Sequence, residues 1–461
     1  MPCFEGFLDT SILSNFCLDS SQKKVKLAIF SFVRIILTLE ACMSKKVELG
    51  PMRWLTPTPE PILRATAEPC PDGFVTAWHR FPTENEPEAI IISKIFANGR
   101  KTGQVIVGRG ADPDLLVTKD KVYVSWLQKD FATLLYEVIV STFDHNLDLV
   151  GHCTVANGVM SVFGQPYLAI YQSQITVVYD SEKTIDGSTL HSHNLETHET
   201  ISKQIAVGPL NDILVKYSVN HLIAVFETAV ELRVFEFDGI NWTHLTSIPV
   251  EAPFPHRFDF SLGEKKAMFV LAYEEDRLAS LVINLSDGSH GKKWAFCDYG
   301  KFATLSMVSL DEEWVVSWVG APALSLDKQG GSVNESFEGY VRALWEIKNR
   351  VEESERIYGS TRVRSEMEEL WDATFIGPWA PLWLGLLNGD GKCVETYGPL
   401  GNEADENWNT IVTTKEGKGL LLWRNHERLE DADEESFLSY RTFHYNKNLC
   451  TNEKDPARAG P

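Results

Sequence analysis

The run FVTAW at residues 74–78 decides the fold, because its pattern recurs along the whole chain. Each recurrence is a short apolar β-like segment that ends on a large, usually aromatic residue and is followed by a polar turn. The others are VYVSW (122–126), ITVVY (175–179), LIAVF (222–226), FVLAY (269–273), WVVSW (314–318), LWLGL (382–386) and GLLLW (419–423). From Trp78 to Trp423 the intervals average about 49 residues, which indicates a repeated structural unit.

Further β-like segments accompany each run. A preceding strand is visible at PILRAT (61–66), PDLLVT (113–118), PYLAIY (166–171), DILVKY (212–217), FDFSL (258–262), ATLSMV (303–308), DATFI (372–376) and NTIVTT (409–414). A third strand follows the aromatic residue, as in AIIISKIF (89–96) and YVRALWEI (340–347), and a fourth is visible in some repeats, such as GQVIVG (103–108). Four antiparallel strands in each repeat of this length are typical of a β-propeller blade.

The sequence therefore predicts an all-β fold, a single closed β-propeller of eight four-stranded blades. The seventh repeat is the weakest, since it has Leu386 where the others have an aromatic residue, and LWLGLLNGDGKCVETYG (382–398) has the pattern of one tight hairpin. Seven blades with an irregular insertion is the alternative. In either case the aromatic residues are predicted to pack between neighbouring blades.

The chain ends suggest how the ring closes. KKVELG (45–50) precedes the first repeat and is predicted to supply the missing outer strand of the last blade. We expect a propeller over 43–450 closed by this N-terminal strand, and a disordered tail over 451–461. Residues 1–42 are predicted to be an extension that is disordered or not part of the mature protein.

Composition limits the partners. The formal net charge is −21, so phosphate backbones are repelled and no nucleic-acid partner is expected. The apolar stretch 27–39 is too short for a membrane span and carries Arg34 at its centre. The eight cysteines include no CxxC pair, which favours reduced thiols and a cytoplasmic protein. A secreted protein is the alternative if 1–42 is a targeting segment.

Polar residues cluster where the inner strands begin, at one mouth of the predicted central channel. They are Asp112, Asp114, Gln165, Asn211, Asp212, His256, Arg257, Asp259, Lys301, Asp372, Asn407 and Asn409. A ring of carboxylates and amides could hold a cation or a polar ligand such as a sugar. The alternative is that these side chains are hydrated and cap strand ends.

No metal or cofactor is predicted. His191 and His193 would share one face of a strand, as two metal ligands could, but His198 would point the other way and no carboxylate partner is evident. An exposed polar strand explains this pattern more simply.

The longest insertions, 320–338, 349–370 and 425–436, all fall on the face that also receives the starts of the inner strands. Long loops on one face of a rigid scaffold often carry binding. We therefore expect a monomeric, non-catalytic scaffold that binds a protein, a polar small molecule or a glycan through this face.

FDGINW (237–242) resembles the Asp-box turn of sialidase-type propellers, Ser-x-Asp-x-Gly-x-Thr-Trp, although it occurs once and its spacing differs. That resemblance implies the alternative function, a sialidase-like glycoside hydrolase or lectin with its site at the channel mouth. The Gly-His and Trp-Asp markers of Trp-Asp repeat propellers do not recur from repeat to repeat. The similarity is thus to the propeller architecture over about 50–450, and no specific family is indicated.

Overall fold

The described residues form strands and turns. The computed structural model describes residues 46–56, 62–82, 86–130, 133, 135–159, 165–184, 187–205, 213–228, 230–250, 258–273, 277–297, 305–310, 313–319, 382–398, 400, 409–426 and 436–446. Within them no helix is long and apolar enough to cross a membrane. Contacts divide the chain into Leu49–His444, which carries the sheets discussed below, and a smaller unit of Met1–Glu48 with Tyr445–Pro461.

The strands form antiparallel sheets, most of which follow chain order. The chain starts with β1 (Val47–Leu49) and β2 (Arg53–Trp54). The first blade contains β3 (Ile62–Cys70), β4 (Gly73–Arg80), β5 (Ala89–Phe96) and β6 (Val105–Gly108). The second contains β7 (Ala111–Val117), β8 (Val122–Lys129), β9 (Tyr136–Phe143) and β10 (Leu149–Val159). The third contains β11 (Tyr167–Tyr171), β12 (Gln174–Thr184), β13 (Gly187–Asn194) and β14 (Thr200–Ile205).

The remaining sheets repeat this arrangement. The fourth blade contains β15 (Ile213–Tyr217), β16 (Leu222–Glu227), β17 (Glu231–Phe237) and β18 (Trp242–Pro249). The fifth contains β19 (Phe258–Leu262), β20 (Lys266–Tyr273), β21 (Arg277–Asn284) and β22 (Trp294–Cys297). The sixth contains β23 (Leu305–Leu310), β24 (Glu313–Val319), β25 (Leu382–Leu387) and β26 (Cys393–Tyr397). The seventh contains β27 (Asn409–Thr413), β28 (Lys418–His426) and β29 (Ser436–Tyr445). The described residues thus form a seven-bladed β-propeller, which confirms the predicted fold class.

The blade count corrects the main prediction of eight. LWLGL is not the second strand of a separate blade: it lies in β25, which pairs with β24 from Trp314↔Leu387 to Val319↔Leu382 and is the third strand of the sixth blade. The alternative of seven blades with an insertion is confirmed, as is the tight β25–β26 hairpin. The error has a physical cause, because inner strands buried on both faces are apolar throughout and their sequence does not reveal their order in a blade. DATFI (372–376) and YVRALWEI (340–347) lie outside the described residues.

The aromatic residues that end the second strands pack between blades, as predicted. Trp78, Trp126, Phe226, Trp318 and Trp423 are all fully buried. One hydrophobic cluster joins the first and second blades around Trp126, and another joins the fifth and sixth around Trp318. Burial of a tryptophan stabilises such a fold by about 3–5 kcal/mol relative to alanine, so these residues are structural.

The seventh blade draws strands from both ends of the chain. Its order is β1-β29-β28-β27, and β2 also pairs with β29. The N–H of Gly50 donates to the carbonyl of Thr442 at 2.7 Å, and the N–H of Leu55 donates to the carbonyl of Leu438 at 2.6 Å. The N–H of Leu438 in turn donates to Thr56 Oγ1 at 3.0 Å. These bonds satisfy backbone groups of β29 that would otherwise form an open sheet edge.

Candidate functional site

A central channel runs along the first strands of the blades. Its volume is about 1570 Å³, and residues of β3, β7, β11, β15, β19, β23 and β27 all line it. Five of the predicted ligand-binding residues line this channel, namely Asp112, Asp114, Gln165, Asp259 and Asn409. The other seven, Asn211, Asp212, His256, Arg257, Lys301, Asp372 and Asn407, lie outside the described residues. A ligand-binding role for the set stays a prediction.

Two of the channel carboxylates form hydrogen bonds between neighbouring blades. Asp114 Oδ2 accepts a hydrogen bond from the N–H of Leu168 at 2.7 Å, which joins the second blade to the third. Asp259 Oδ2 accepts one from the N–H of Met307 at 2.7 Å, which joins the fifth blade to the sixth. Because each bond satisfies a backbone donor of the next first strand, both aspartates have a structural role.

Neutral side chains form bonds of the same kind elsewhere in the ring. Ser306 Oγ accepts a hydrogen bond from the N–H of Ile411 at 3.1 Å, across the sixth and seventh blades. Ser317 Oγ donates to Asn409 Oδ1 at 2.7 Å across the same boundary. Ser125 Oγ donates to the carbonyl of Pro166 at 2.6 Å, beside the bond made by Asp114. The polar ring at the inner strands therefore largely fixes the register of one blade against the next.

Oppositely charged side chains of neighbouring blades also lie close together in the channel. Lys216 Nζ is 3.3 Å from Asp259 Oδ1, and Arg64 is 4.0 Å from Asp112. Glu68 also lines the channel, and the nearby Asp114 contributes to the rise in its pKa. Ion pairs thus join the first blade to the second and the fourth blade to the fifth.

Burial controls the ionisation of these acids. It raises the pKa of Glu68 to about 8, with a further rise from the nearby Asp114 and a decrease from Lys216. Burial also raises the pKa of Asp114 to about 6, opposed by the N–H groups of Leu168 and Leu115. The pKa of Tyr217 is raised well above its ordinary value, mainly by burial and to a smaller extent by the negative charges of Glu68 and Asp114. At neutral pH Glu68 is therefore mostly protonated and able to donate a hydrogen bond.

Four further residues of the channel were not predicted, because only polar residues at the starts of the first strands were taken as candidates: Arg64, Glu68, Lys216 and Tyr217. A signal was present. In ILRATAEPC the side chains of Ala65 and Ala67 are buried, and Arg64 and Glu68 occupy the alternate positions of the strand. Isolated charges in an inner strand indicate a position that faces the channel.

The turn in FDGINW is an exposed polar turn followed by a core residue. Asp238 Oδ1 accepts hydrogen bonds from the N–H groups of Ile240 and Asn241 at 2.8 and 2.7 Å. Both bonds lower the pKa of Asp238, and the bond from Asn241 has the larger effect. Trp242 is buried and donates from Nε1 to Ser192 Oγ at 2.8 Å. The motif therefore joins the fourth blade to the third.

The histidines considered as metal ligands contact hydroxyl groups. His191 lies 2.6 Å from Ser181 Oγ through Nε2 and 2.8 Å from Ser202 Oγ through Nδ1. His193 Nδ1 lies 2.8 Å from Thr200 Oγ1, and burial lowers the pKa of its ring. Within the described ranges there is no group of three or more His, Cys, Asp or Glu side chains arranged to hold a metal ion.

Comparison with known proteins shows likeness at the level of fold alone. No family model matches the chain, and no curated protein matches it either. Among solved structures, the RRP9 WD40 repeats share 9% identity at a TM-score of 0.46, over 87% of this chain and 100% of that one. The β-propeller domain of the Trilobed protease from Pyrococcus furiosus shares 8% identity at a TM-score of 0.43, over 87% of this chain and 99% of that one. Trypanosoma rangeli sialidase shares 9% identity at a TM-score of 0.41, over 67% of this chain and 63% of that one.

Proposed function

We propose that this chain is a monomeric, non-catalytic binding scaffold that holds a protein or polar ligand on the face where second strands end and third strands begin. The sixth blade carries this proposal. There the chain leaves β24 at Val319 and returns to β25 at Leu382, so residues 320–381 form one long insertion at that face. Long insertions on a rigid scaffold are common binding elements.

The attachment of this insertion is well defined. Val319 and Leu382 are direct partners in the β24–β25 ladder, and both are fully buried. Cα atoms of such partners lie about 4.5–5.5 Å apart, so the insertion begins and ends at one point of the sixth blade. A segment attached in this way can be exchanged without altering the strands that hold it.

Two carboxylates of the channel, Asp114 and Asp259, favour a scaffold over a hydrolase. A glycosidase needs a pair of carboxyl groups free to act as acid and as nucleophile or base. Asp114 and Asp259 instead accept backbone N–H bonds from the next blade. A sialidase-like enzyme or lectin is therefore the second candidate, and it is included as an outcome of the test.

The test replaces 320–381 by a short Gly-Ser linker between Val319 and Leu382. We expect the variant to melt like the wild type and to lose the proteins that co-purify with the full chain. A matched control replaces residues 144–148, the connection between β9 and β10 on the opposite face, and should keep its partners. Retained partners in the 320–381 variant would contradict the proposal. Binding on a glycan array with no protein partner would favour the channel-mouth alternative instead.

We also propose a cytoplasmic location. Cys70, Cys153 and Cys393 are free cysteines in the described part of the chain. Burial raises the pKa of Cys70 to about 11 and that of Cys393 to about 12, which suppresses the reactive thiolate form. Alkylation of all three thiols, after denaturation of protein taken from unreduced cell extract, would support this location, and a disulfide at any of them would contradict it.

A further inference from the structure

Two dibasic turns that are separate in the sequence meet at the edge of the fifth blade. Lys265-Lys266 connects β19 to β20, and Lys292-Lys293 directly precedes β22. The N–H of Leu285 donates to the carbonyl of Lys265 at 3.0 Å, which places the end of β21 beside the first turn. In the sequence each pair alone is too short to indicate a basic patch.

The second turn is held in place by its backbone. The N–H of Gly291 donates to the carbonyl of Val282 at 2.8 Å, and a bridge joins Ile283 to His290. Gly288 has a φ of +70°, and a Cβ there would lie 2.5 Å from the carbonyl oxygen of Leu245 in the fourth blade. Such a fixed turn presents its side chains in a preorganised arrangement.

These turns enclose a groove of about 340 Å³, which we call the basic groove. It is lined by Lys266, Asn284, Ser289, His290, Lys292 and Trp294. The β25–β26 hairpin of the sixth blade forms the far wall, where the carbonyl of Gly389 lies 3.5 Å from Lys266 Nζ. Ser280 Oγ of the fifth blade donates to the carbonyl of Gly391 and fixes that hairpin.

The lysines of the groove are not neutralised by their surroundings. Lys266 and Lys292 are exposed, and neither makes an ion pair with any described residue. Asp390 is the only carboxylate among the described residues that line the groove. Lys292 Nζ lies 3.7 Å from the centroid of the Trp294 ring, and this cation–π contact holds the ammonium group at the rim. With Asp390 counted, the residues that line the groove carry two positive charges and one negative charge, on a chain of net charge −21.

We propose that the basic groove binds an acidic peptide segment of a partner protein, with side-chain carboxylate or phosphate groups at Lys266 and Lys292. Ser289 and Asn284 supply further polar groups, and Trp294 and Val282 supply an apolar floor. A long polyanion such as a nucleic acid is disfavoured, since the acidic body would repel the phosphates beyond the groove. A short peptide places its negative charge only where the lysines are.

The groove is distinct from the surface proposed above for binding. Lys266 begins β20 and Asn284 ends β21, so the groove lies where second strands begin and third strands end. The insertion at 320–381 leaves from the end of β24, on the opposite face of the propeller. The proposal therefore holds or fails independently of the one for the insertion.

Fluorescence anisotropy with labelled peptides and the full chain tests whether the basic groove binds an acidic peptide. The probes are a peptide rich in Asp and Glu, the same peptide with one phosphoserine, and a version in which Asn and Gln replace the acids. We expect the two anionic peptides to bind, with an affinity that falls as salt rises, and the neutral one not to bind. The double variant K266E/K292E should weaken binding by about tenfold or more.

The matched control is K129E/K203E, which makes the same change of charge at exposed lysines of the second and third blades. It should bind the anionic peptides as the wild type does. Equal weakening in both double variants would show a general effect of net charge and would overturn the assignment. The assignment would also be overturned if K266E/K292E bound the anionic peptides as tightly as the wild type, or if the wild type bound neither of them.

Discussion

The N–H of Leu168, in the first strand of the third blade, donates to Asp114 Oδ2 in the first strand of the second blade at 2.7 Å. The same relationship recurs between Met307 and Asp259. Apolar packing between blades is not directional, whereas a hydrogen bond fixes one strand at one height against the next. The acids that seemed from the sequence to await a ligand thus set the alignment of the blades.

Removal of the Asp114 carboxyl group should therefore destabilise the propeller. In Asp114→Ala the N–H of Leu168 loses its partner, and we expect the free energy of unfolding to fall by about 1–3 kcal/mol. Asp114→Asn keeps an acceptor oxygen and should lose about 1 kcal/mol or less. Urea denaturation measures both, with Asp120→Ala in an exposed turn as the control. Equal stability of Asp114→Ala and wild type would show that the bond contributes nothing.

The raised pKa of Glu68 predicts a dependence of stability on pH. Its pKa is raised from 4.5 to about 8 in the folded chain, so between these values the native state binds more protons than the unfolded state. The free energy of unfolding should then fall as pH rises through this interval. The pKa of Asp114, raised to about 6, has the same sign at lower pH, and the lowered pKa of His193 has the opposite sign, so the contribution of Glu68 is obtained from the difference between wild type and a variant that is neutral at residue 68.

Glu68→Gln should remove this slope. The side chain at position 68 then stays neutral at every pH. The free energy of unfolding of the variant should therefore increase steadily relative to that of the wild type toward pH 8. Chemical denaturation at a series of pH values gives the measurement, with Glu264→Gln at an exposed turn as the matched control. Parallel pH profiles for wild type and Glu68→Gln would contradict the assignment of the slope to this residue.

Loss of the N-terminal strand should open the seventh blade. Deletion of 43–52 removes the bond from Gly50 to Thr442 and the buried side chain of Val47. We expect the free energy of unfolding to drop by about 2 kcal/mol or more. A chain that starts at residue 43 is the control and should melt like the full chain. Identical melting of the two truncations would mean that the strand does not close the ring.

The sequence was sufficient for the repeat but not for the blade count. The residues that end the second strands recur at a nearly regular spacing because each packs in the same place between blades. The segment 320–381 breaks that spacing, and β25 has the buried apolar pattern of a second strand. Only the β24–β25 pairing identifies it as a third strand.

The site was partly predictable for a similar reason. Polarity at strand starts located Asp114 and Asp259 at the channel, but chain order cannot show that their oxygens accept backbone bonds from another blade. The basic groove was not predictable, because its lysines come together only through the backbone contacts of β20, β21 and the turn that follows. Contacts between distant turns depend on the folded sheet rather than on sequence spacing.

The pair Trp242 and Ser192 separates a packing role for FDGINW from a role in an active site. Their side chains form a buried bond of 2.8 Å between the fourth and third blades. Trp242→Phe and Ser192→Ala should each destabilise the chain by about 1–3 kcal/mol, and the double variant should lose less than the sum, because both single changes remove the same bond. Asp238→Asn, in the exposed turn, should stay within about 0.5 kcal/mol of wild type. Additive losses in this double-mutant cycle would mean that the bond does not couple the blades, and the turn would then need another explanation.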